Sequence, residues 1–320
     1  MSRVPARITG FNTTKRVVAL LNPTLAQQKN MCANLIAKML EYLLVSALMV
    51  GVSAPVAYKV RFLDGLGTLT ACILGLAVGF TMGPVFLGVL IIFLTVNSLF
   101  TKMGYVKKAL LGAAEPKGGA RTWRSVVANG LSATIFAVLS ILFYREILVV
   151  GFMSAIAAAS ADTASTEVGL LSGSKPRLIT NLSSVEPGVS GGVTALGLVG
   201  GVIGAISIGI IGLYIVHAIY GFLQLRLLAS NDPFIPTSGI TRYALAISVG
   251  GFCGTVLDSV LGATLQAKYV CGVCSKKTER AEHCGTKSTL IGGVKHLDNY
   301  TVNVLATFLG AIIGVLLFLA

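Results

Sequence analysis

Eight apolar stretches follow one another along this chain, with only short polar links between them. They lie at about residues 43–58, 63–80, 82–100, 126–144, 147–170, 198–222, 239–266 and 302–320. A helix needs about 20 mainly apolar residues to cross a bilayer, so most of these stretches are long enough to span one. Only 12% of the 320 residues are charged, which is too few to cover a water-soluble globule of this size. The sequence therefore predicts an all-α fold, a polytopic transmembrane helical bundle.

The distribution of Lys and Arg separates two topologies of this bundle, because basic residues collect on cytoplasmic loops. If all eight stretches span, the two faces carry 16 and 9 basic residues. If the first stretch, which contains Pro55, does not span, they carry 22 and 3. We therefore predict seven spans in the plasma membrane, with the first stretch interfacial or re-entrant, the N-terminus cytoplasmic and the C-terminus outside. Eight spans is the alternative. Basic cytoplasmic loops explain the net charge of +13, so the sequence does not predict a nucleic-acid partner.

The sequence divides into a basic cytoplasmic N-terminal segment, residues 1–40, and one transmembrane helical domain, residues 41–320. Three polar loops of this domain are expected to be cytoplasmic, namely 101–125, 171–190 and a Cys-rich loop at 267–300. Glycine-rich stretches at 197–204 and 250–254 have the small-xxx-small spacing that lets helix backbones touch. We therefore expect glycine-rich helix packing.

Acidic residues are scarce in this chain, and three of the twelve lie inside apolar stretches: Asp162, Glu167 and Asp258. Asp298 lies at the mouth of the last stretch. Carboxylates in a membrane helix are costly and need a partner, so they indicate a functional site. Each has polar neighbours at helical spacing, namely Thr163, Thr166, Ser259, Gln266, Asn299 and Asn303. Oxygen ligands of this kind suit Mg²⁺ with bound phosphate; hydrogen bonding between helices, or a proton or cation path, is the alternative.

The loop that follows Asp162 combines positive charge with glycine. Lys175 and Arg177 supply cations, Thr180 and Ser190 supply hydroxyls, and Gly188, Gly191 and Gly192 precede the next helix. Glycines let backbone N–H groups approach an anion at a helix N-terminus. The loop therefore predicts a phosphate-binding segment, and the alternative is a tight turn before a membrane helix.

Three cysteines lie together in the hydrophilic 267–300 loop. The sequence reads Cys271-Gly-Val-Cys274 and then His283-Cys284. This pattern is typical of metal-binding knuckles, and a reducing cytoplasm favours zinc over a disulfide. We predict a structural zinc ion held by Cys271, Cys274, Cys284 and His283, with His296 as a competitor for the fourth position. A loop of free thiols is the alternative.

These motifs together resemble a family of integral membrane proteins. The family includes transmembrane protein 19 of eukaryotes, the plant phytyl-phosphate kinase and many uncharacterised archaeal and bacterial members, and the cysteine loop is similar to the prokaryotic ones. The resemblance covers about residues 60–320. It rests on Arg121-x-Trp123, Asn129-Gly130, Ala161-Asp162-Thr163, Glu167-x-Gly169, Lys175-Pro-Arg-Leu-Ile-Thr180, Pro187-Gly188-x-x-Gly191-Gly192, Asp258-Ser259-x-x-Gly262-Ala263-Thr264-x-Gln266, Leu297-Asp298-Asn299 and Asn303. Thr166 stands where the family usually has Ser, which keeps the hydroxyl.

The resemblance implies a membrane-embedded kinase that transfers a phosphoryl group from a nucleoside triphosphate, with CTP expected, to an isoprenoid monophosphate. It implies that Asp162, Asp258 and Asp298 hold Mg²⁺, and that Lys175 and Arg177 clamp the transferring phosphoryl group. The remaining motif residues are interpreted as binding nucleotide and lipid phosphate: Thr163, Thr166, Glu167, Thr180, Gly188, Ser190, Gly191, Gly192, Ser259, Gln266, Asn299 and Asn303.

Two other functions are compatible with the same residues. Buried acids and glycine-interrupted helices also suit an ion transporter or lipid translocase that performs no chemistry. A scaffold protein that binds partners through the cysteine loop is the third hypothesis. In each case membrane lipids surround the chain, and the sequence does not predict an oligomeric state.

Overall fold

The computed structural model describes residues 25–111, 116–143, 145–226 and 239–320, so most of the predicted 1–40 segment lies outside the described residues. Apart from the four-residue turn Pro116–Gly119, the helices of this part are α1 Leu25–Lys59, α2 Gly65–Thr81, α3 Pro84–Lys102, α4 Tyr105–Leu110, α5 Trp123–Leu139, α6 Arg145–Leu171, α7 Ala195–Ile206, α8 Leu213–Arg226, α9 Ile240–Thr264 and α10 Asn299–Leu319. A π-helical turn, Ser207–Gly212, joins α7 to α8. Six apolar segments are long enough to span a membrane, and α2 and α5, with 17 residues each, are shorter. The predicted helical bundle is confirmed.

The first apolar stretch belongs to a continuous helix of 35 residues, α1. Val50 of α1 lies beside Gly75 of α2, and Tyr42, two turns earlier, lies beside Gly83 just beyond α2. The two helices are therefore antiparallel neighbours, and Ile36–Lys59 is long and apolar enough to span. This geometry differs from the predicted interfacial or re-entrant segment. It agrees with the eight-span alternative, because Ile36–Lys59 is one of the six candidate spans and two shorter apolar helices accompany them.

The links at 60–64, 103–122, 172–194 and 265–298 meet at one end of the bundle, here called the motif face. The link at 60–64 is tied to 103–122 by backbone hydrogen bonds, Arg121 N to Phe62 O at 2.9 Å and Asp64 N to Arg121 O at 3.1 Å. The beginning of α1 and the end of α10 then lie at the opposite face. The sides of the membrane on which the motif face and the two chain termini lie stay predictions.

Helix α6 is the centre of the bundle, and α3, α5, α7, α9 and α10 pack around it. Its middle is built from small residues, with Ala155, Ala157, Ala158, Ala159 and Ala161 all buried. Alanine lets neighbouring backbones approach closely, so one helix can accommodate five others. The consequence is that Asp162 is carried into the interior of the protein.

Glycine brings α9 and α10 into backbone contact, as the sequence predicted. A Cβ atom on Gly250 would lie 2.7 Å from the Cα of Gly314, and one on Gly254 would lie 3.3 Å from the Cα of Gly310. No larger residue fits at Gly250 without separating the two helices. This close approach sets Asp258, on the next turns of α9, against Asn303 of α10.

The apolar core fills the half of the bundle that lies away from the motif face. Phe86 and Phe152 pack edge to face with ring centroids 5.5 Å apart. Met82, Met153 and Ile247 are buried in the same cluster. The packed side chains fill this half of the bundle, so the polar residues of the interior are open toward the motif face.

Short β-ribbons add structure to two of the polar loops, which the all-α prediction did not include. Strand β1 Arg177–Leu178 pairs with β2 Gly192–Val193. In the Cys-rich loop, β3 Lys268–Val270 lies between β4 Lys277–Thr278 and β7 Thr289–Gly292, and β5 Glu282–His283 pairs with β6 Thr286–Lys287. All pairs are antiparallel. These ribbons give the loops fixed positions over the helix ends.

Candidate active site

A cavity of 1240 Å³ opens at the motif face. This is larger than the roughly 300–1,000 Å³ of a typical small-molecule pocket. Half of the chain's twelve acidic residues line it, namely Asp162, Glu167, Glu186, Asp258, Glu279 and Asp298. Five basic residues line it too, namely Lys107, Arg124, Lys175, Arg280 and Lys295. Such a concentration of both charges in a charge-poor protein suits a ligand that carries anionic groups together with a cation.

Two carboxyl groups meet at the base of the cavity. Asp162 of α6 and Asp258 of α9 lie within hydrogen-bonding distance of each other. The amide nitrogen of Asn303, in the orientation that satisfies its neighbours, donates to Asp258 Oδ1 at 3.1 Å and to the Asn299 carbonyl at 2.8 Å. Adjacent carboxylates repel each other unless a proton or a cation lies between them. The pair is therefore suited to hold a cation or to share a proton.

The Gly-rich loop packs directly on the last turn of α9, just beyond Asp258. Gly191 has φ +79°, and a Cβ atom there would lie 2.6 Å from the backbone nitrogen of Ala263. Two independent reasons therefore require glycine at position 191: the left-handed backbone conformation and the close contact with Ala263. Two amides of the loop are engaged within the protein: Gly192 N donates to Val189 O at 3.0 Å, and Ser190 N donates to Glu279 Oε1 at 3.1 Å. The loop shapes the wall of the cavity, and side chains supply most of its charge.

A buried ion pair supports one side of the cavity. Lys108 is 1% exposed, and its Nζ donates to Glu167 Oε2 at 2.5 Å and to the Thr101 carbonyl at 2.6 Å. The neighbouring Lys107 donates to the Leu171 carbonyl at 2.9 Å, so it caps the end of α6. The sequence identified Glu167, whereas Lys108 contributed only to the count of basic residues. The sequence did not indicate that Lys108 pairs with Glu167, because the two residues are 59 positions apart.

Two arginines missed by the sequence reasoning lie close to the predicted acids. Arg121 is buried and acts electrostatically on Asp162. Arg124 forms an ion pair with Asp298 and lies over the Tyr300 ring at 4.6 Å. Arg121 belongs to the Arg121-x-Trp123 motif that carries the resemblance, and Arg124 directly follows that motif; this was the available signal. Arg121 thus places positive charge near Asp162, and Arg124 places it beside Asp298 in the cavity.

Asp298 is the N-cap of α10 as well as an ion-pair partner. Its Oδ1 accepts from Thr301 N at 3.0 Å and from Thr301 Oγ1 at 2.9 Å. Burial raises the pKa of this carboxyl, but the hydrogen bonds from Thr301 and the charge of Arg124 outweigh it and lower the pKa below the usual 3.8. Asp298 therefore stays charged at the cavity mouth.

Most predicted site residues line the cavity: Asp162, Thr166, Glu167, Lys175, Gly188, Ser190, Gly191, Gly192, Asp258, Ser259, Asp298 and Asn299. Five others lie around it. Thr163 is buried in α6, Thr180 is exposed, and Asn303 lies beneath the cavity beside Asp258. Arg177 donates to the Leu182 carbonyl at 3.0 Å, and Gln266 is buried against Glu279. The structure thus gathers the sequence motifs at one place.

The Cys-rich loop contains a cluster that could hold a metal ion. One ligand atom from each of Cys271, Cys274, His283 and Cys284 lies within 4.8 Å of the others. His283 Nδ1 is 3.4 Å from Cys274 Sγ and 3.2 Å from Cys284 Sγ. Backbone N–H groups of Cys274 and Val273 lower the pKa of the Cys271 thiol to about 6, which favours the thiolate that metals bind. His296, the competitor for the fourth position, lines the cavity instead.

Comparisons with known proteins place the chain in a family. Residues 48–311 match the model of the integral membrane protein DUF92 family. The chain belongs to this family. It is 32% identical to the uncharacterized membrane protein MJ0933 of Methanocaldococcus jannaschii over 86% of this chain and 94% of that protein. It is 32% identical to Protein PGR of Arabidopsis thaliana, over 82% of this chain and 92% of that protein.

A more distant relative is the chloroplastic Protein VTE6 of Arabidopsis thaliana. It is 25% identical over 70% of this chain and 56% of that protein. No solved structure matches the chain significantly. Membership of the DUF92 family confirms the resemblance drawn from the motifs, and the cavity described above lies within the matched residues.

Proposed function

We propose that this protein is a Mg²⁺-dependent kinase that transfers a phosphoryl group from a nucleoside triphosphate, with CTP the expected donor, to an isoprenoid monophosphate. The observation that carries the proposal is the meeting of Asp162 and Asp258 at the base of a cavity lined by five basic residues. Phosphoryl transfer depends on positioning and charge neutralisation more than on covalent help from the protein. The site offers both.

The donor set at the cavity base fits Mg²⁺. This ion prefers oxygen ligands and is bound by one or two carboxylates together with phosphate oxygens. Asp162 and Asp258 would supply the carboxylates, and Asp298 and Asn299 lie nearer the mouth. When bound, the ion would neutralise charge on the nucleotide phosphates. Asn303 holds the Asp258 carboxyl in place through its 3.1 Å hydrogen bond.

The basic residues of the cavity have the complementary task. Lys175 and Arg124 line the cavity from two separate elements, the 172–194 loop and α5. We assign them to the phosphate oxygens of donor and acceptor. Arg177, whose guanidinium is turned to the Leu182 carbonyl, would reach a phosphate only if it released that contact.

The proposed reaction needs no general base. A phosphate monoester has its second pKa near ~6, so the acceptor is already an anionic nucleophile at neutral pH. An oxygen of the isoprenoid phosphate forms a bond to the γ-phosphorus of the donor, and the bond from that phosphorus to the β,γ-bridging oxygen breaks. The products are the isoprenoid diphosphate and the nucleoside diphosphate. This agrees with a cavity rich in carboxylates and cations.

The position of the cavity suits one lipid and one water-soluble substrate. It opens at the ends of membrane-length helices, where Leu111 and Leu170 stand beside Lys107. An isoprenoid chain would remain in the bilayer while its phosphate enters the cavity. The motif face carries 16 of the 25 basic residues when all eight helices cross, which favours a cytoplasmic side where nucleotides are present.

A structural zinc ion in the Cys-rich loop is part of the proposal. Three sulfur ligands and one imidazole are a usual set for structural zinc, and they are gathered within 4.8 Å. The adjacent positions of His283 and Cys284 are accommodated by a left-handed backbone at Cys284, φ +53°.

The translocase hypothesis receives less support. Alternating access needs a pathway that reaches both faces. In the described part of the chain, the half of the bundle below Asp162 is filled by the buried cluster around Phe86, Phe152 and Ile247. The cavity thus favours chemistry at one face.

Purified protein with Mg²⁺, labelled nucleoside triphosphates and geranylgeranyl or phytyl monophosphate tests the proposal. We expect labelled isoprenoid diphosphate, with CTP as the best donor, and no product when Mg²⁺ is chelated. Absence of transfer with every nucleotide and isoprenoid phosphate would refute the kinase. Movement of labelled lipid across proteoliposomes without nucleotide would instead establish the translocase.

A further inference from the structure

Glu279 of the Cys-rich loop reaches across to the wall of the cavity. Its Oε1 accepts from Ser190 N at 3.1 Å and from Ser190 Oγ at 2.5 Å. Its Oε2 accepts from the buried Gln266 amide at 2.8 Å. One carboxylate therefore joins the Gly-rich loop, the end of α9 and the Cys-rich loop, across 89 residues of sequence.

Glu279 belongs to the segment that the cysteine cluster encloses. It lies between the first ligand pair, Cys271 and Cys274, and the second, His283 and Cys284. The first turn is closed by hydrogen bonds from Ser275 N to Cys271 O at 2.9 Å and from Cys271 N to Lys276 O at 3.0 Å. A metal ion that ties both ligand pairs would hold the intervening segment, and Glu279 with it.

The contact at Ser190 is the kind that orders a loop. A charged acceptor that receives two hydrogen bonds gives bonds about twice as strong as neutral ones. Ser190 is followed by Gly191, which has no Cβ to restrict its backbone; the Gly191 carbonyl accepts from Ile179 N at 2.9 Å, and Gly191 packs on Ala263. Without the Glu279 carboxylate, the segment 188–192 would lose these two hydrogen bonds to the Cys-rich loop.

We propose that Glu279 is a positioning residue that couples metal occupancy of the Cys271, Cys274, His283 and Cys284 cluster to the order of the Gly-rich loop. The metal site then controls the shape of the cavity from outside it. The consequence for nucleotide affinity rests on the proposed kinase function, but the coupling itself does not.

Hydrogen exchange of residues 186–193 in the full-length protein tests the coupling. We compare the zinc-loaded and chelated wild type with Glu279→Ala, Glu279→Gln and, as the matched control, Glu282→Ala, an exposed acid on the same loop. Chelation and Glu279→Ala should each raise exchange about tenfold, the effect of losing a charge-assisted hydrogen bond. Glu279→Gln should lie in between, and Glu282→Ala should match the wild type.

The deciding measurement is whether the effects of chelation and of Glu279→Ala on hydrogen exchange add. Chelation should add little to the exchange of Glu279→Ala, because one contact transmits both effects. Unchanged exchange on chelation, or fully additive increases, would overturn the proposal, as would loss of zinc from Glu279→Gln. In the transfer assay, Glu279→Gln should raise KM for the nucleotide more than it lowers kcat. Absence of transfer in the wild type would refute the kinase and leave the exchange result standing.

Discussion

The carboxyl groups of Asp162 and Asp258 face each other from two parallel helices, α6 and α9, inside the bundle. Their meeting depends on small residues, since Gly254 of α9 packs against Ala158 of α6, one turn below the acids. Two facing carboxyls are unfavourable in a low-dielectric interior unless a cation or proton joins them. The pair is therefore unfavourable for the stability of the fold, and its presence is explained by a role in the function of the protein.

Replacing either acid should abolish transfer and leave the fold intact. We expect Asp162→Asn and Asp258→Asn to lower the rate of transfer about 100-fold or more, as removal of a key electrostatic group does. Their melting temperatures in detergent should equal or exceed that of the wild type, because one of two repelling charges is gone. Glu146→Gln, at the far end of α6, is the control and should retain activity. Substantial transfer by Asp162→Asn would remove this pair from the site.

The Lys108–Glu167 pair should matter far more to stability than the Lys117–Asp64 pair. Lys108 is 1% exposed and Lys117 is 62% exposed. Removing one partner of a buried pair costs about 3–5 kcal/mol, while an exposed pair contributes up to about 1 kcal/mol. Thermal unfolding of Lys108→Met and Lys117→Met measures the contrast. The double variant Lys108→Met with Glu167→Gln should recover part of the loss, and equal effects of the two lysines would contradict this account.

How much of this site the sequence predicts depends on how local each signal is. Asp162 and Asp258 were identified because an acid inside an apolar stretch is conspicuous within a single helix. Lys108 and Glu279 were not, because their importance comes from partners 59 and 89 residues away. The sequence did not predict that the first apolar stretch forms one continuous helix, for a similar reason. Its antiparallel packing on α2 is a tertiary contact, whereas the count of basic residues is an average over many proteins.

Gly191→Ala should displace the Gly-rich loop and lower transfer. The substitution places a Cβ atom 2.6 Å from the Ala263 backbone, at a residue with φ +79°. Gly239 has φ +95° and open space around it, so Gly239→Ala carries the backbone strain of about 1–2 kcal/mol without the contact. We expect Gly239→Ala to keep its transfer activity and Gly191→Ala to lose most of it. Equal activities would show that the contact with Ala263 does not position the cavity wall.

Acid should destabilise the wild type more than Asp64→Asn. The hydrogen bond from Lys117 lowers the pKa of Asp64 below its usual 3.8, and the Gly67 N–H assists, both against desolvation. A lowered folded pKa means that the carboxylate stabilises the protein above pH 3.8, and that this contribution is lost as pH falls through the folded pKa. Asn keeps the N-cap but not the charge. Melting temperatures from pH 6 to pH 3 should therefore converge at low pH, and parallel curves would refute the linkage.

The Cys-rich loop should bind one zinc ion per chain. The four ligand atoms of Cys271, Cys274, His283 and Cys284 already lie together, so Cys274→Ser should remove the metal and loosen the loop because binding and local folding are coupled. His296→Ala, which alters a histidine that lines the cavity, is the matched control and should keep its zinc. Elemental analysis of purified protein measures both. Full zinc content in Cys274→Ser, or its loss in His296→Ala, would show that another ligand set holds the ion.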